Sequence, residues 1–276
     1  MPAIGERRTT TRLDEYVARW DLSPDGDPLT TATGELLPVR SQGRPAMLKV
    51  VTSAEELRAA SLLLFWNGDG AARVFAHEGP ALLLERALGP VSLADMARSG
   101  RDDEASRVLC AVAARLHARR SAPMPMLVPL EQWFEPLEAA ASAIGGIIAR
   151  AAGVARTLLA APREIVALHG DLHHENVLDA GERGFLAIDP KALLGERSFD
   201  FANLFRNPDR KTAARRDTLA RRASVVAAAA AIDRERLLRW VLSFAALSAT
   251  WRLGEGEDAT ADLVIAELAA AELDLS

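Results

Sequence analysis

The chain has 276 residues, more than a single core usually serves, so a two-lobed or two-domain body is the starting expectation. Hydrophobic residues make up 49% and charged residues 26%, enough apolar material for a sizeable core. A net charge of −5 argues against an electrostatic grip on nucleic acid, and no nucleic-acid partner is expected. The single cysteine, Cys110, rules out an internal disulfide framework and a multi-cysteine metal site; its apolar surroundings predict a buried helical thiol.

The N-terminus carries Glu6, Arg7 and Arg8 and no apolar core of a signal peptide. The most apolar runs, 139–161 and 223–232, are too short or hold Arg150 and Arg156, so no membrane span is expected. A cytoplasmic, soluble protein follows, with a monomer favoured. Only three lysines occur, Lys49, Lys191 and Lys211, in a chain otherwise supplied with arginine. Each is a candidate for a task that arginine cannot do.

The first part reads as β-rich. Runs 36–39 and 46–51 are β-prone and separated by the turn-rich segment 41–45. Ser53 followed by Glu56 ahead of an apolar run is a capping box, which predicts a helix from Ser53 to Asn67-Gly68. Strands at 72–76 and 80–85 follow, joined near Glu78-Gly79. After Gly89-Pro90 the pattern turns helical, with helices at 92–98, 103–118, 139–159, 215–231, 234–253 and 259–273. One β-island at 165–168, 176–178 and 185–188 interrupts them. The order predicts an α+β fold of two lobes: residues 1–87, a five-stranded sheet with one helix, and residues 88–276, mainly helical.

The β-island holds His169-Gly170-Asp171-Leu172-His173-His174-Glu175-Asn176, then Ile188-Asp189-Pro190. Phosphoryl transfer needs such a set: one carboxylate to orient and deprotonate a hydroxyl, and two oxygen ligands for Mg²⁺ on the phosphates. Mg²⁺ keeps several waters, so one Asn and one Asp are sufficient protein for it. The spacing of Asp171 and Asn176 matches the D-x-x-x-x-N of kinase catalytic loops, with a further Asp after the next hairpin. A zinc site among His169, His173, His174 and Glu175 is disfavoured, because adjacent histidines in a tight loop point apart and no H-x-x-x-H spacing is present. His169 and His173 read as rings bracing the loop, whereas His174 and Glu175 read as facing solvent or substrate.

A lysine on an early strand, paired with a carboxylate on the next helix, should reach the phosphates. Lys49 lies in Met47-Leu48-Lys49-Val50-Val51, where an unpaired charge is costly. Glu56 is the partner expected for it, with Glu55 as an alternative. Lys191 either helps neutralise charge on the transferred group or turns to solvent or Glu196.

These motifs, with Gly195-Glu-Arg-Ser-Phe-Asp200 and Asn203-Leu-Phe-Arg-Asn-Pro208, resemble the aminoglycoside phosphotransferase family, in particular its streptomycin 6-kinase and hydroxyurea kinase branch. The similarity runs from about Leu29 to the C-terminal helices. The resemblance implies a protein-kinase-like fold with ATP between the lobes. It implies Asp171 as base, Asn176 and Asp189 as Mg²⁺ ligands, and Lys49, oriented by Glu56, on the phosphates. It also implies that Glu85-Arg86-Ala87 presents backbone groups to adenine and that Asp200 braces the catalytic loop. The glycine-rich phosphate loop is a departure: the corresponding turn reads Thr30-Thr-Ala-Thr-Gly-Glu35 and lacks two of the three glycines.

The expected partner is a small, polar, hydroxylated acceptor such as an aminoglycoside. Glu131, Glu135, Glu255, Glu257 and Asp258 are candidates for binding guanidinium groups. The alternatives are a kinase for hydroxyurea or another metabolite, and a silent nucleotide-binding scaffold, which usually lacks one of the four positions filled here. A protein kinase is disfavoured because nothing resembles the A-P-E end of an activation segment.

Overall fold

The computed structural model describes residues 12–31 and 34–274. The chain opens with helix α1 (Arg12–Arg19) and strands β1 (Leu22–Pro24), β2 (Leu29–Thr31), β3 (Gly34–Ser41) and β4 (Arg44–Val51). Helix α2 (Ala54–Trp66) precedes β5 (Val74–Glu78) and β6 (Ala81–Glu85). All six strands form one antiparallel sheet in the order β1-β3-β4-β6-β5, with β2 added at β3. The expectation of five strands and one helix is corrected here. The short strands β1 and β2 have no alternating pattern to betray them, and α1 buries only Leu13 and Tyr16.

The β3–β4 hairpin turns on Gln42 and Gly43 alone, both at positive φ (50° and 76°), so the strands run further into the 41–45 segment than its turn-rich composition predicts. Helix α2 begins where the capping box predicts. The Ser53 hydroxyl accepts from the Glu56 N–H, and Asn67 closes the helix at φ 49° in the left-handed region.

The helical part begins with α3 (Leu93–Arg98) and α4 (Asp102–Leu116), followed by β7 (Val128–Pro129), α5 (Leu130–Trp133), α6 (Glu135–Ile144) and α7 (Gly146–Ala160). Next come β8 (Ile165–Leu168), β9 (Val177–Asp179), β10 (Phe185–Ala187), β11 (Leu193–Glu196) and a 3-10 helix over Arg197–Arg206. Helices α8 (Arg210–Ala213), α9 (Arg216–Ala230), α10 (Arg234–Gly254) and α11 (Thr260–Asp274) complete it. The single helix expected over 139–159 is two, because Gly145 and Gly146 both take positive φ and break it. The β-island is likewise two units: β9 and β10 form a hairpin, while β8 pairs with β11, which pairs in parallel with β7.

Helix α10 is the axis of the larger core. Residues Leu237–Ala249 are almost all buried, including Trp240 and Phe244. Phe199 of the 3-10 helix packs edge-on against Trp240, Phe244 and Phe134, at centroid distances of 5.3–5.7 Å. This aromatic knot fixes the 3-10 helix beneath the catalytic-motif loop. Among the described residues no helix is long and apolar enough to cross a membrane. Glu6, Arg7 and Arg8 lie outside the described residues.

The sheet and the helical part are joined by more than the chain. The Ala187 N–H donates to Gly70 O at 2.8 Å, and the Ala72 N–H donates back to Ala187 O at 2.9 Å. The Gly89 N–H donates to Asp179 O, and a Cβ at Gly89 would lie 2.1 Å from the Asp179 carboxyl carbon, so any larger residue would have to displace that carboxylate from the Val91 and Gly181 amides. Hairpin β9–β10 therefore serves as the floor of the cleft between the lobes.

Candidate active site

Lys49 stands on β4, between Leu36 of β3 and Leu82 of β6, and is only 8% exposed. Its ammonium lies 2.5 Å from Glu56 Oε2 on α2 and 2.6 Å from Asp189 Oδ1 beyond β10. Burial opposes the charge, yet the two carboxylates outweigh it and hold the Lys49 pKa above its ordinary value. Burial also disfavours ionised Asp189, but Lys49 more than compensates and holds that carboxyl below its usual range. Glu55, the alternative partner, does not reach Lys49. It pairs with the half-buried Lys191 at 3.0 Å, so Lys191 does not turn to Glu196, which Arg236 holds instead.

The motif loop is built on two devices. Gly170 takes φ 80°, and a Cβ there would press on Leu193 at 2.8 Å; its N–H donates to Asp200 Oδ1 at 2.7 Å. Asp200 Oδ2 accepts from the His169 N–H at 2.9 Å and lies 2.7 Å from His117 Nε2. Burial pushes this carboxyl up, but His117 and the loop amides pull it below the ordinary value. The second device is His169, fully buried beneath Trp66. Its Nδ1 accepts from the Asp171 N–H at 3.2 Å and its Nε2 donates to Ile188 O at 2.8 Å, tying the motif loop to the Ile188-Asp189 turn. Nδ1, as an acceptor, carries no proton, so the ring is neutral, and burial lowers its pKa in the same sense.

Asp171 emerges from this frame with both carboxylate oxygens engaged. Asn176 Nδ2 donates to Oδ2 at 3.0 Å and to the Asp171 carbonyl at 2.9 Å, while Asn203 Nδ2 donates to Oδ1 at 2.5 Å. Burial raises the Asp171 pKa, against the pull of His169, Lys191 and Arg206. His174 corrects the expectation of an exposed side chain. It is buried, and neither ring nitrogen finds a hydrogen-bond partner among the described residues. Burial lowers it to about 3, and His173 to about 4. Glu175 is exposed.

One cavity of about 460 Å³ lies between the sheet and hairpin β9–β10. Lys49, Glu56, Glu85, Arg86, Ala87, Asn176 and Asp189 line it. Its remaining wall is largely apolar, with Leu36, Met47, Leu84, Leu178 and Ile188 suited to a flat ring. Asp171 and Lys191 are not on this wall; Asp171 joins it through Asn176. The side chains of Glu85 and Arg86 turn to Arg183 and Asp25, and the Glu85 N–H is taken by Arg73 O at 2.8 Å. Thr31 also lines it, but Ala32 and Thr33, at the centre of the glycine-poor turn, lie outside the described residues.

Both expected metal ligands offer hard oxygens on that wall. Asn176 turns Nδ2 to Asp171, which leaves Oδ1, and Asp189 uses Oδ1 for Lys49, which leaves Oδ2. Such a donor set suits Mg²⁺ completed by water and phosphate oxygens. Among the described residues no three His, Cys, Asp or Glu side chains gather as a metal site.

The acceptor-side expectations fare differently. Glu131 and Glu135 line a separate, mostly apolar cavity of about 490 Å³ beside α7, with none of the motif residues on its wall. Glu257 pairs with Arg252 at 3.0 Å and Asp258 caps Thr260, while Glu255 is exposed. Two buried groups close to the motif have no role assigned from the sequence: His117, at the end of α4, which no pattern marks, and Asn203, inside the apolar 3-10 run, which opens the Asn203-Leu-Phe-Arg-Asn-Pro208 motif.

A small sheet carrying a lysine–glutamate pair, set over a helical part whose H-G-D loop and I-D-P turn face it across one cleft, defines a protein-kinase-like phosphotransferase. Solved structures share this fold: a choline/ethanolamine kinase family protein from Mesorhizobium loti superposes with a TM-score of 0.64 at 18% identity, over 95% of this chain and 94% of that one. An aminoglycoside phosphotransferase in ternary complex with ADP and hygromycin B superposes with a TM-score of 0.63 at 14% identity, over 96% and 97% of the two chains.

Residues 19–256 match the family described as aminoglycoside/hydroxyurea antibiotic resistance kinase, and the chain belongs to that family. It is 55% identical to a streptomycin 3''-kinase of Klebsiella pneumoniae, over 86% of this chain and 91% of that protein. It is 34% identical to a streptomycin 6-kinase of Streptomyces griseus, over 91% and 85% respectively. A hydroxyurea phosphotransferase of Kitasatospora aureofaciens is 32% identical over 92% of this chain and 76% of its own length.

Proposed function

We propose that this protein transfers the γ-phosphoryl group of ATP to a hydroxyl of streptomycin, and so acts in antibiotic resistance. The observation that carries the reading is the meeting of Lys49, Glu56, Asn176 and Asp189 on one cavity wall, with Asp171 bonded to Asn176 at its edge. Of the positions named in the relatives, the 3'' hydroxyl is favoured, because identity to the 3''-kinase is 55% against 34% for the 6-kinase.

In this reading residues 1–87 and 88–276 are the two lobes. The backbone at Glu85-Arg86-Ala87 meets adenine, and Lys49, steadied by Glu56, holds the phosphates. Asn176 and Asp189 hold Mg²⁺, which supplies charge neutralisation on the phosphate oxygens when bound. Asp171 orients the acceptor hydroxyl and takes its proton; a buried base with a raised pKa is better matched to neutral pH than an exposed aspartate. Lys191, released from Glu55, places a second cation near the transferred group. The chemistry requires no membrane and no nucleic acid, and a cytoplasmic monomer suffices for it.

The test is acceptor-dependent ADP release with streptomycin, other aminoglycosides and hydroxyurea, beside an Asp171→Ala control, with the product phosphate located by NMR. Turnover with streptomycin that Asp171→Ala abolishes is the expected result. Equal turnover by the variant rejects Asp171 as base, and turnover with hydroxyurea alone rejects the aminoglycoside assignment.

A further inference from the structure

The polar groups around Asp171 include one whose orientation is imposed from outside the motif. Asn203 sits in the 3-10 helix, 95% withdrawn from solvent, between Ala202 and Leu204 of the core. Its amide has one oxygen and one nitrogen to allot, and the neighbours leave no choice. Arg206 Nη1 donates to Asn203 Oδ1 at 2.9 Å, and Asn207 Nδ2 approaches the same oxygen at 3.3 Å. Both are donors only at those atoms, so Asn203 must present oxygen to them and N–H to Asp171 Oδ1, which it meets at 2.5 Å. Arg206 is itself fixed, with Nε on the buried Asp262 carboxylate at 2.5 Å and its guanidinium over the Phe244 ring at 5.3 Å. A rigid line thus runs from helix α11 through Arg206 and Asn203 to the carboxylate that faces the acceptor.

We infer that Asn203 is a positioning residue for phosphoryl transfer: its amide N–H, oriented by the Arg206–Asp262 pair, sets the rotamer of the Asp171 carboxylate against the acceptor hydroxyl. The inference rests on the reading of Asp171 as base. Asn176 alone does not fix the carboxylate. Its amide contacts Oδ2, and a single hydrogen bond allows rotation about the Cβ–Cγ bond, whereas two amide donors on opposite oxygens pin the plane. Misplacing a reacting group by about 1 Å can cost about 100-fold in rate, so this restraint acts on the chemical step and not on nucleotide binding.

The test compares Asn203→Asp and Asn203→Ala with the parent and Asp171→Ala, using streptomycin as acceptor, or hydroxyurea where streptomycin gives no turnover. For each, kcat, KM for ATP and thermal midpoint are measured. Asn203→Asp keeps the shape and the Arg206 contact but replaces the donor by a carboxylate facing Asp171. Positioning predicts that both variants lose at least about tenfold in kcat, with KM for ATP within about twofold, and that Asp is no better than Ala. A purely structural role predicts the reverse order, since the near-isosteric Asp preserves packing. Parent-like kcat in Asn203→Asp, beside an inactive Asp171→Ala, overturns the inference and spares the base assignment. Parent-like kcat in Asp171→Ala overturns the base itself. Should Asn203→Ala fail to fold, Asn203→Asp decides alone.

Discussion

Asp200→Asn is the substitution that best separates the frame of the site from its chemistry. The side chain is fully buried and its carboxylate serves the two backbone N–H groups of His169 and Gly170 together with His117 Nε2, at 2.7–2.9 Å. An asparagine keeps the shape, but one of its two terminal atoms becomes a donor that must face a donor. Each hydrogen bond to a charged group is worth about 1.5–3 kcal/mol, and a buried donor left unsatisfied costs about 1–3 kcal/mol. The terms overlap, so the expected loss over the two backbone amides is about 3–5 kcal/mol, a fall in the thermal midpoint of roughly 10 °C for a chain of this size. Calorimetry and urea unfolding measure it. The activity of the remaining folded protein should also fall at least about tenfold, because Gly170 precedes Asp171 in the loop that Asp200 holds. A midpoint within about 2 °C of the parent, with unchanged kcat, would refute the view that this carboxylate organises the loop.

Three further outcomes are expected. Lys49→Met should lower kcat/KM for ATP by about 100-fold or more, and Lys49→Arg should fail to restore it, since the forked guanidinium does not fit between Glu56 and Asp189; full rescue by arginine contradicts this placement. His173 and His174 fold as neutral rings, burial having pushed them down to about 4 and about 3, so the stability they contribute is complete above their unfolded value of about 6.5 and falls as pH drops toward their folded values. Raised Asp171 acts in the opposite sense, so the variant His174→Gln is the clean comparison: between pH 6.5 and 4 its stability should fall less steeply than the parent's, by about 1.4 kcal/mol per pH unit. Parallel urea-derived profiles would contradict a neutral buried ring. Burial also pushes the Cys110 thiol up to about 12, so a disulfide reagent should find no thiol in the native protein and one in urea; fast native labelling would place Cys110 at the surface.

The bonded loop over 169–176, the Lys49–Glu56 pair and the capped helix α2 were legible because each depends on neighbours close in sequence or on a spacing imposed by one motif. The sequence-distant partners were not. His117 meets Asp200 across 83 positions and Asn203 meets Asp171 across 32, so the Asn203-Leu-Phe-Arg-Asn-Pro208 motif marks a family likeness but not the contact it makes, and nothing local marks His117. Within Phe201-Ala-Asn-Leu-Phe205 an asparagine looks like a break in an apolar face, and only the fold shows why it is buried there. Strand β11, Leu193–Glu196, is too short and irregular for period-two alternation and exists because β8 and β7 flank it. The acidic residues nominated for the acceptor rest on charge alone. Glu131 of α5 and Glu135 of α6 line a cavity apart from the motif residues, a placement that composition cannot give.

The lysine economy of this chain has a practical side. Of its three ε-amines, Lys49 and Lys191 sit at the cleft, each tied to a carboxylate, and Lys211 alone is exposed on α8. An amine-acylating reagent or a nucleotide analogue bearing an electrophile therefore has one exposed lysine as competitor: mass-spectrometric footprinting with and without ligand reads Lys49 and Lys191 against Lys211 as an internal standard, a natural reporter already written into the polypeptide.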